Sequence, residues 1–311
     1  MGIHRLARTT ICFVLVLLSC NFALLGDTPR IKIIIDADPS IGVRFKDVDD
    51  GLMLLVALNS PELEILGITT IYGNASQDVS YEKARELVDL SERQDVPVFR
   101  GAEKGDTVGT ATEASEFIIR MAEKYPGEVT VLAVGPMTNV ATAISASPTL
   151  AQNLKKVISM GGNVSAANVA STQCWSDLNY GSDKEAAGLF LETVADLTVV
   201  SIQTSERFYI SPTRYKRLIT ESEYSDYLAR NTRFWYWIRR RVFVVWDLVA
   251  LACVIHPEWF ETNHVSIDYY TTVTGQPRIR ESSASQPIVT VNIPEFQEDQ
   301  DPLWDWFFSR I

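Results

Sequence analysis

Ile31-Lys32-Ile33-Ile34-Ile35-Asp36-Ala37-Asp38-Pro39, followed by Asp47-Val48-Asp49-Asp50, reads as a buried strand that runs into an acidic loop. An apolar, β-branched run of that length is a core strand, and in an α/β protein the C-terminal end of such a strand faces the ligand crevice. Five carboxylates fall within residues 36–50. Crowded like charges raise one another's pKa. A hard divalent cation neutralises them, with oxygen ligands at about 2.3–2.6 Å in the case of Ca²⁺. The competing reading is an acidic loop that caps the helix starting near Gly51, where Asp is favoured by the helix dipole alone.

Outward from this stretch, strand-like and helix-like segments alternate. Gly51 to Asn59 reads as a helix, Leu63–Tyr72 as a strand, Ser80–Arg93 as an amphipathic helix and Val96–Phe99 as a short strand. Glu113–Lys124 is predicted helical, Val129–Val134 a strand, Asn139–Ala146 a helix, and Val157–Met160 a strand ending at Gly161-Gly162. Asp183–Thr193 then reads as a helix and Leu197–Ser201 as a strand. That order predicts one α/β domain, its central sheet mostly parallel and flanked by helices. The residues after each strand, namely Asp36 and Asp38, Asn74, the Gly135-Pro136 turn and Asn163, are then expected to converge on one edge. Pro212–Arg241 reads as helical. Its adjacent Phe234-Trp235-Tyr236-Trp237 cannot all face one core, so some of them face a neighbour, a subunit or a ligand.

The 311 residues are 46% hydrophobic and 22% charged, an ordinary globular composition. With 28 basic against 39 acidic residues, the formal charge is −11. Apart from Arg239-Arg240-Arg241 there is no basic block, which argues against nucleic acid as a partner. Residues 1–26 read as an export signal. His4, Arg5 and Arg8 precede an apolar core at Ile11–Leu18 that is too short to span a bilayer. Leu17-Leu18-Ser19-Cys20 resembles a bacterial lipobox, so a lipid anchor at Cys20 and plain secretion both stand as alternatives. Residues 27–311 then form the mature body, located outside the cytoplasm. It retains Cys174 and Cys253, either as one bridge or as two buried thiols, and no Cys/His spacing matches a zinc site.

Several segments together resemble one family. They are Asp36-Ala37-Asp38-Pro39, Asp49-Asp50, Ile68-Thr69-Thr70-Ile71-Tyr72-Gly73-Asn74, Gly135-Pro136-Met137-Thr138-Asn139, Met160-Gly161-Gly162, Asp183-Lys184-Glu185-Ala186-Ala187 and Trp246-Asp247. From about residue 31 onward the chain is similar to the nucleoside hydrolases of the inosine–uridine preferring type. The resemblance implies a single-domain, Rossmann-like α/β fold, a Ca²⁺ deep in the cleft, and hydrolysis of ribonucleosides to ribose and free base. It further implies that Asp38 binds the metal and takes the proton of the attacking water. Asp50, Asp247 and the backbone carbonyl of Val134 are implied as further ligands. Asp49 corresponds to the residue on the ribose 2′-hydroxyl, Asn74 to the cleft asparagine, and Asn168, Asp177 and Asn179 to the loop on the 3′- and 5′-hydroxyls. A homo-oligomer, dimer or tetramer, is the common assembly of such relatives. The apolar run Leu303-Trp304-Asp305-Trp306-Phe307-Phe308 suits either a subunit interface or a last helix docked on the core.

The chemistry calls for these residue types on its own account. Breaking an N-riboside passes through an oxocarbenium-like state that nearby carboxylates stabilise. Water needs a metal and a base to act as a nucleophile at neutral pH. Two departures from the family pattern stand out. Ser40–Val48 lengthens the loop between the Asp-Pro turn and the Asp pair, adding Arg44, Lys46 and Asp47, of which Asp47 is a possible competitor for the metal. Trp246 occupies a position where many purine-cleaving members have a histidine, and an indole cannot serve as a general acid. Either another group substitutes, with Tyr236, Arg239 and Arg240 available on the preceding helix, or Trp246 stacks on the base and selects a different substrate. The readings from other classes are a non-catalytic nucleoside- or ribose-binding protein and an interaction protein that uses Phe234–Trp237.

Overall fold

In the computed structural model the strand at Ile31–Ala37 (β1) lies at the centre of the sheet, as its unbroken apolar run requires, with Ile33 to Ala37 fully buried. The structure describes residues 29–162, 164–165, 177–194, 196–271, 277–281, 289–296 and 301–311. Flanking β1 in parallel are β2 (Leu63–Thr70) and β4 (Thr130–Ala133), with Ile35 opposite Ile68 on one side and Leu132 on the other. Adding β3 (Val98–Arg100), β5 (Lys156–Met160) and β7 (Leu197–Val200) gives the order β3-β2-β1-β4-β5-β7, all parallel. The chain winds from β1 outward to β3 and then returns to the other side of β1 at β4. That reversal opens a crevice at the C-terminal ends of β1 and β4, where ligands bind in such sheets.

The helices up to α7 are α1 (Asp49–Leu58), α2 (Gln77–Leu90), α3 (Glu113–Lys124), α4 (Thr138–Ala146), α5 (Leu150–Asn153), α6 (Leu178–Gly181) and α7 (Lys184–Thr193). Beyond β7 come α8 (Ile202–Ser205), α9 (Pro212–Thr220), α10 (Ser225–Ile238), α11 (Trp246–Ile255) and α12 (Asp301–Ser309). The expected single helix over Pro212–Arg241 is two, α9 and α10. Ser211 caps α9, with Pro212 at its first turn, and Ser222 accepts the Tyr224 N–H in the break. All ten residues of α1 and eight of the ten in α11 are buried, and these two apolar helices pack against each other. A helix apolar on every face belongs inside the protein, and this packing carries the acidic first turns of α1 and α11 into the interior.

Past β7 the sheet departs from the expected parallel pattern. β12 (Val289–Phe296) joins β7, and β10 (Phe260–Thr271) pairs antiparallel with both β12 and β11 (Pro277–Glu281). β6 (Val164–Ser165) lies beyond β11, and a separate ribbon joins β8 (Tyr209–Ile210) to β9 (Phe243–Val244). The sequence of β10, Phe-Glu-Thr-Asn-His-Val-Ser-Ile-Asp-Tyr-Tyr-Thr, is too polar to announce itself as a core strand. The apolar C-terminal run is a docked helix: α12 buries Leu303, Trp304, Trp306 and Phe307 in the core. No helix among the described residues is long and apolar enough to cross a membrane. Cys253 is a buried free thiol, and Cys20 and Cys174 lie outside the described residues.

Candidate active site

Each parallel strand from β2 to β7 delivers one residue from its C-terminal side to a single cleft. They are Asn74 after β2, Asp38 after β1, Val134 after β4, Met160 at the end of β5 and Ile202 after β7. The remaining walls are Asp47, Asp49 and Asp50 at the start of α1, Asp177 to Asn179 at α6, Trp235 and Arg239 from α10, and Trp246 and Asp247 at the start of α11. The cleft holds about 220 Å³, below the roughly 300–1,000 Å³ of drug-sized pockets, which suits a small ligand.

The floor is acidic and buried. Asp38, Asp49, Asp50 and Asp247 are each under 5% exposed. Asp38 donates its N–H to Asp50 Oδ1 at 3.1 Å and accepts a short hydrogen bond from the Asn74 N–H on Oδ2. Burial pushes the Asp38 carboxyl up to about 7 and that of Asp49 to about 6. Asp50 and Asp247 rise well above the usual carboxylate range, first through burial and then through the charge of their acidic neighbours. Oxygens of Asp49, Asp50 and Asp247 lie within 4.8 Å of one another. Several carboxylates whose ionisation burial and mutual repulsion make costly form a donor set that a hard cation would relieve. The first turns of α1 and α11 add the positive ends of two helix dipoles, and neither helix has a side-chain N-cap to satisfy its leading N–H groups.

A second layer fixes this floor. Asp36, fully buried, accepts from Thr69 Oγ1 at 2.6 Å and Asn139 Nδ2 at 2.8 Å, and burial lifts its carboxyl to about 7. Asn139 also donates to the Thr70 carbonyl and accepts the Ala102 N–H, so one amide ties together the ends of β1, β2 and β3. Thr138 Oγ1 donates to Asp183, which itself caps α7 through the Ala186 N–H. Gly73, at φ +154°, leaves no room for a side chain: a Cβ there would overlap the Asp38 carboxylate and sit 2.9 Å from Pro136 Cδ.

The fold of the family was already visible in this arrangement, and sequence comparison agrees with it. Residues 33–298 match the family described as inosine-uridine preferring nucleoside hydrolase. The chain belongs to that family. It is 32% identical over 262 residues to uridine nucleosidase 1 of Arabidopsis thaliana, covering 74% of this chain and 75% of the relative. It is 26% identical over 272 residues to the inosine-uridine preferring nucleoside hydrolase of Leishmania major, covering 77% and 83%. Among solved structures, a plant nucleoside hydrolase shares the fold with a TM-score of 0.79 at 23% identity, covering 91% of this chain and 99% of that one. As a nucleoside hydrolase, the protein is an enzyme of the class that splits ribonucleosides into ribose and free base.

Set beside the expectations for a nucleoside hydrolase, the structure gathers Asp38, Asp49, Asp50, Asn74, Val134, Asp177, Asn179, Trp246 and Asp247 around one cleft. Asn163 and Asn168 lie outside the described residues. The carbonyl of Val134 accepts from Asn179 Nδ2 at 2.7 Å, and that amide also donates to the Met160 carbonyl. Asp177 caps α6 through the Tyr180 N–H and accepts the Gly162 N–H at 2.6 Å, and it also lines the cleft. The side chain of Asn74 accepts the Asp47 N–H at 3.3 Å, which anchors the added loop. That loop leans on α10. Phe45 meets Phe234 edge-on at 4.9 Å, and the Arg44 guanidinium lies 4.7 Å from the Phe234 ring. Asp47 is thereby held at the cleft wall, where burial and the neighbouring Asp49 charge raise its carboxyl well above the ordinary value.

Of the three groups offered in place of the missing histidine, Arg239 lines the cleft. Tyr236 stacks on Tyr215 at 3.6 Å and lines a different groove, and Arg240 is exposed beyond the end of α10. Sequence reasoning named Trp235 only within the aromatic cluster and Met160 only within the Met160-Gly161-Gly162 motif, without a site role for either, and it did not single out Leu178 and Ile202, which open the short helices α6 and α8.

Proposed function

We propose that the protein is a Ca²⁺-dependent nucleoside hydrolase with a cleft open to purine or pyrimidine ribonucleosides, exported as residues 1–26 suggest. The observation that carries this reading is the convergence of Asp38, Asp49, Asp50 and Asp247 at the β1/β4 crevice. Asp38, Asp50, Asp247 and the Val134 carbonyl are the residues that would hold the cation; Asp49 is close enough to join them. Their all-oxygen, carboxylate-rich character suits Ca²⁺ better than a thiol- or imidazole-seeking metal. When bound, the cation lowers the pKa of water and fixes the sugar diol.

The remaining steps fall to the chain itself. Asp38, at the cleft floor beside the residues that would hold the cation, is the carboxylate placed to take the proton of the attacking water. Asp49 accepts a hydrogen bond from the ribose 2′-hydroxyl. Asn179, with Asp177, holds the hydroxyls on the far side of the ring and orients C1′ toward the water. The negative floor stabilises positive charge as it develops on the sugar. At the base end, Trp235 and Trp246 offer aromatic faces, and the guanidinium of Arg239 stabilises negative charge on the departing base without needing to ionise. The test is release of reducing sugar from a panel of purine and pyrimidine nucleosides, with Ca²⁺ and with chelator, for the native chain and Asp38→Asn. Cation-dependent release that Asp38→Asn abolishes is expected. A folded protein that binds ribose or Ca²⁺ yet releases no sugar from any nucleoside would move the assignment to a binding protein.

A further inference from the structure

Helix α10 has two working faces. Trp235 and Arg239 look into the cleft, whereas Arg230, Arg233, Phe234 and Trp237 recur at helical spacing along another side, joined by Arg241 from the turn beyond the helix. With Tyr215 and Ile219 of α9 they line a separate groove of about 1050 Å³, several times the volume of the cleft. Trp237 is 70% exposed there, the largest exposure among the big apolar side chains described.

The charge of this groove runs against that of the whole protein. The chain carries a net −11, yet the lining holds three exposed arginines and no carboxylate. Five arginines elsewhere have acidic partners, Arg93 with Asp95, Arg100 with Asp78, Arg120 with Glu116, Arg217 with Glu221 and Arg310 with Glu62, while Arg85, Arg207 and Arg214 hydrogen-bond a hydroxyl or a carbonyl. Arg230, Arg233 and Arg241 make no ion pair or side-chain hydrogen bond among the described residues. Three cationic side chains along one groove, with no carboxylate in its lining, would be neutralised by an anion. The guanidinium fork matches a phosphate bidentately, and the neighbouring Phe234 and Trp237 faces suit a planar base.

We propose that the groove between α9 and α10 binds nucleoside 5′-monophosphates, the phosphate on Arg230, Arg233 and Arg241 and the base against Phe234 and Trp237. The groove is separate from the catalytic cleft and shares no lining residue with it. The assignment is independent of which nucleoside the cleft cleaves.

Calorimetric titration of the full chain with uridine 5′-monophosphate, and in parallel with inorganic phosphate, tests it. Saturable binding of the nucleotide is expected, about tenfold or more tighter than phosphate because only the nucleotide stacks. Arg230→Ser/Arg233→Ser is expected to weaken that binding by about tenfold or more, as is Trp237→Ala, an exposed substitution that spares the core. Sugar release from nucleosides stays unchanged in both variants, which shows that they are folded. No heat with the nucleotide, equal affinity for phosphate, or nucleotide binding untouched by the two variants would each overturn the proposal.

Discussion

Replacing Asp38 with Asn should stabilise the cation-free protein, and the gain should grow with pH. Burial raises the Asp38 carboxyl from 3.8 to about 7. The folded state therefore holds this proton more tightly than the unfolded chain does. Its contribution to stability is complete below about pH 4 and is lost as pH rises through about 7. At about 1.4 kcal/mol per pH unit, the full span corresponds to roughly 4 kcal/mol. Asn resembles the protonated acid in shape and cannot ionise, so the two chains should be similar near pH 4 and differ by up to about 4 kcal/mol at pH 8. The raised carboxyls of Asp49, Asp50 and Asp247 act in the same direction, so the native protein in chelator should itself lose stability from pH 5 to pH 8. Urea unfolding followed by tryptophan fluorescence, in chelator at pH 5 and pH 8, measures both effects. Adding Ca²⁺ at pH 8 should restore the native chain and do little for Asp38→Asn. If the native chain is as stable at pH 8 as at pH 5 without cation, and Asp38→Asn gains nothing, then the cleft is not the charge-crowded, buried site described here.

Three further substitutions probe other links. Gly73→Ala places a methyl group on the Asp38 carboxylate without changing any charge, so kcat for sugar release should fall by about 10²-fold, the scale of a 1 Å misplacement. Native kcat in that variant would remove Asp38 from the chemistry. Trp246→His introduces a group that titrates near about 6.5 at the start of α11. If the position faces the leaving base, release from nucleosides with poor leaving groups should rise, by up to about 10²–10⁴-fold, and fall again as pH climbs past the imidazole pKa. An unchanged rate and flat pH profile across the panel would show that the side chain points elsewhere. Phe45→Ala removes an edge-on contact worth about 0.5–1.5 kcal/mol between the added loop and Phe234. Because Phe45 is 68% exposed, its loss should leave the melting temperature nearly unchanged and raise KM through the loosened cleft wall. A large drop in melting temperature with KM intact would make the contact purely structural.

The amino-acid sequence by itself settled whatever depends on local pattern. Ile31–Ile35 could only be a core strand, the alternation after it could only be wound into a mostly parallel sheet, and Asp36 to Asp50 marked the ligand end of that strand. Those features survive in β1, in α1 and in the order β3-β2-β1-β4-β5-β7. The strands β10 to β12 have no continuous apolar run, because an antiparallel extension does not need one; β12 carries only the weaker alternation of Val289, Val291 and Ile293 with polar residues. Tertiary structure alone decided which distant groups meet. It set Asp247 beside Asp49 and Asp50 by packing α11 against α1. It turned Arg239 into the cleft and Tyr236 onto Tyr215, a choice that depends on how one helix is rotated between two neighbours. It also brought Arg230, Arg233 and Arg241 to one groove whose lining holds no carboxylate. Sequence fixes the period of a helix face, and only the packed fold fixes what that face looks upon.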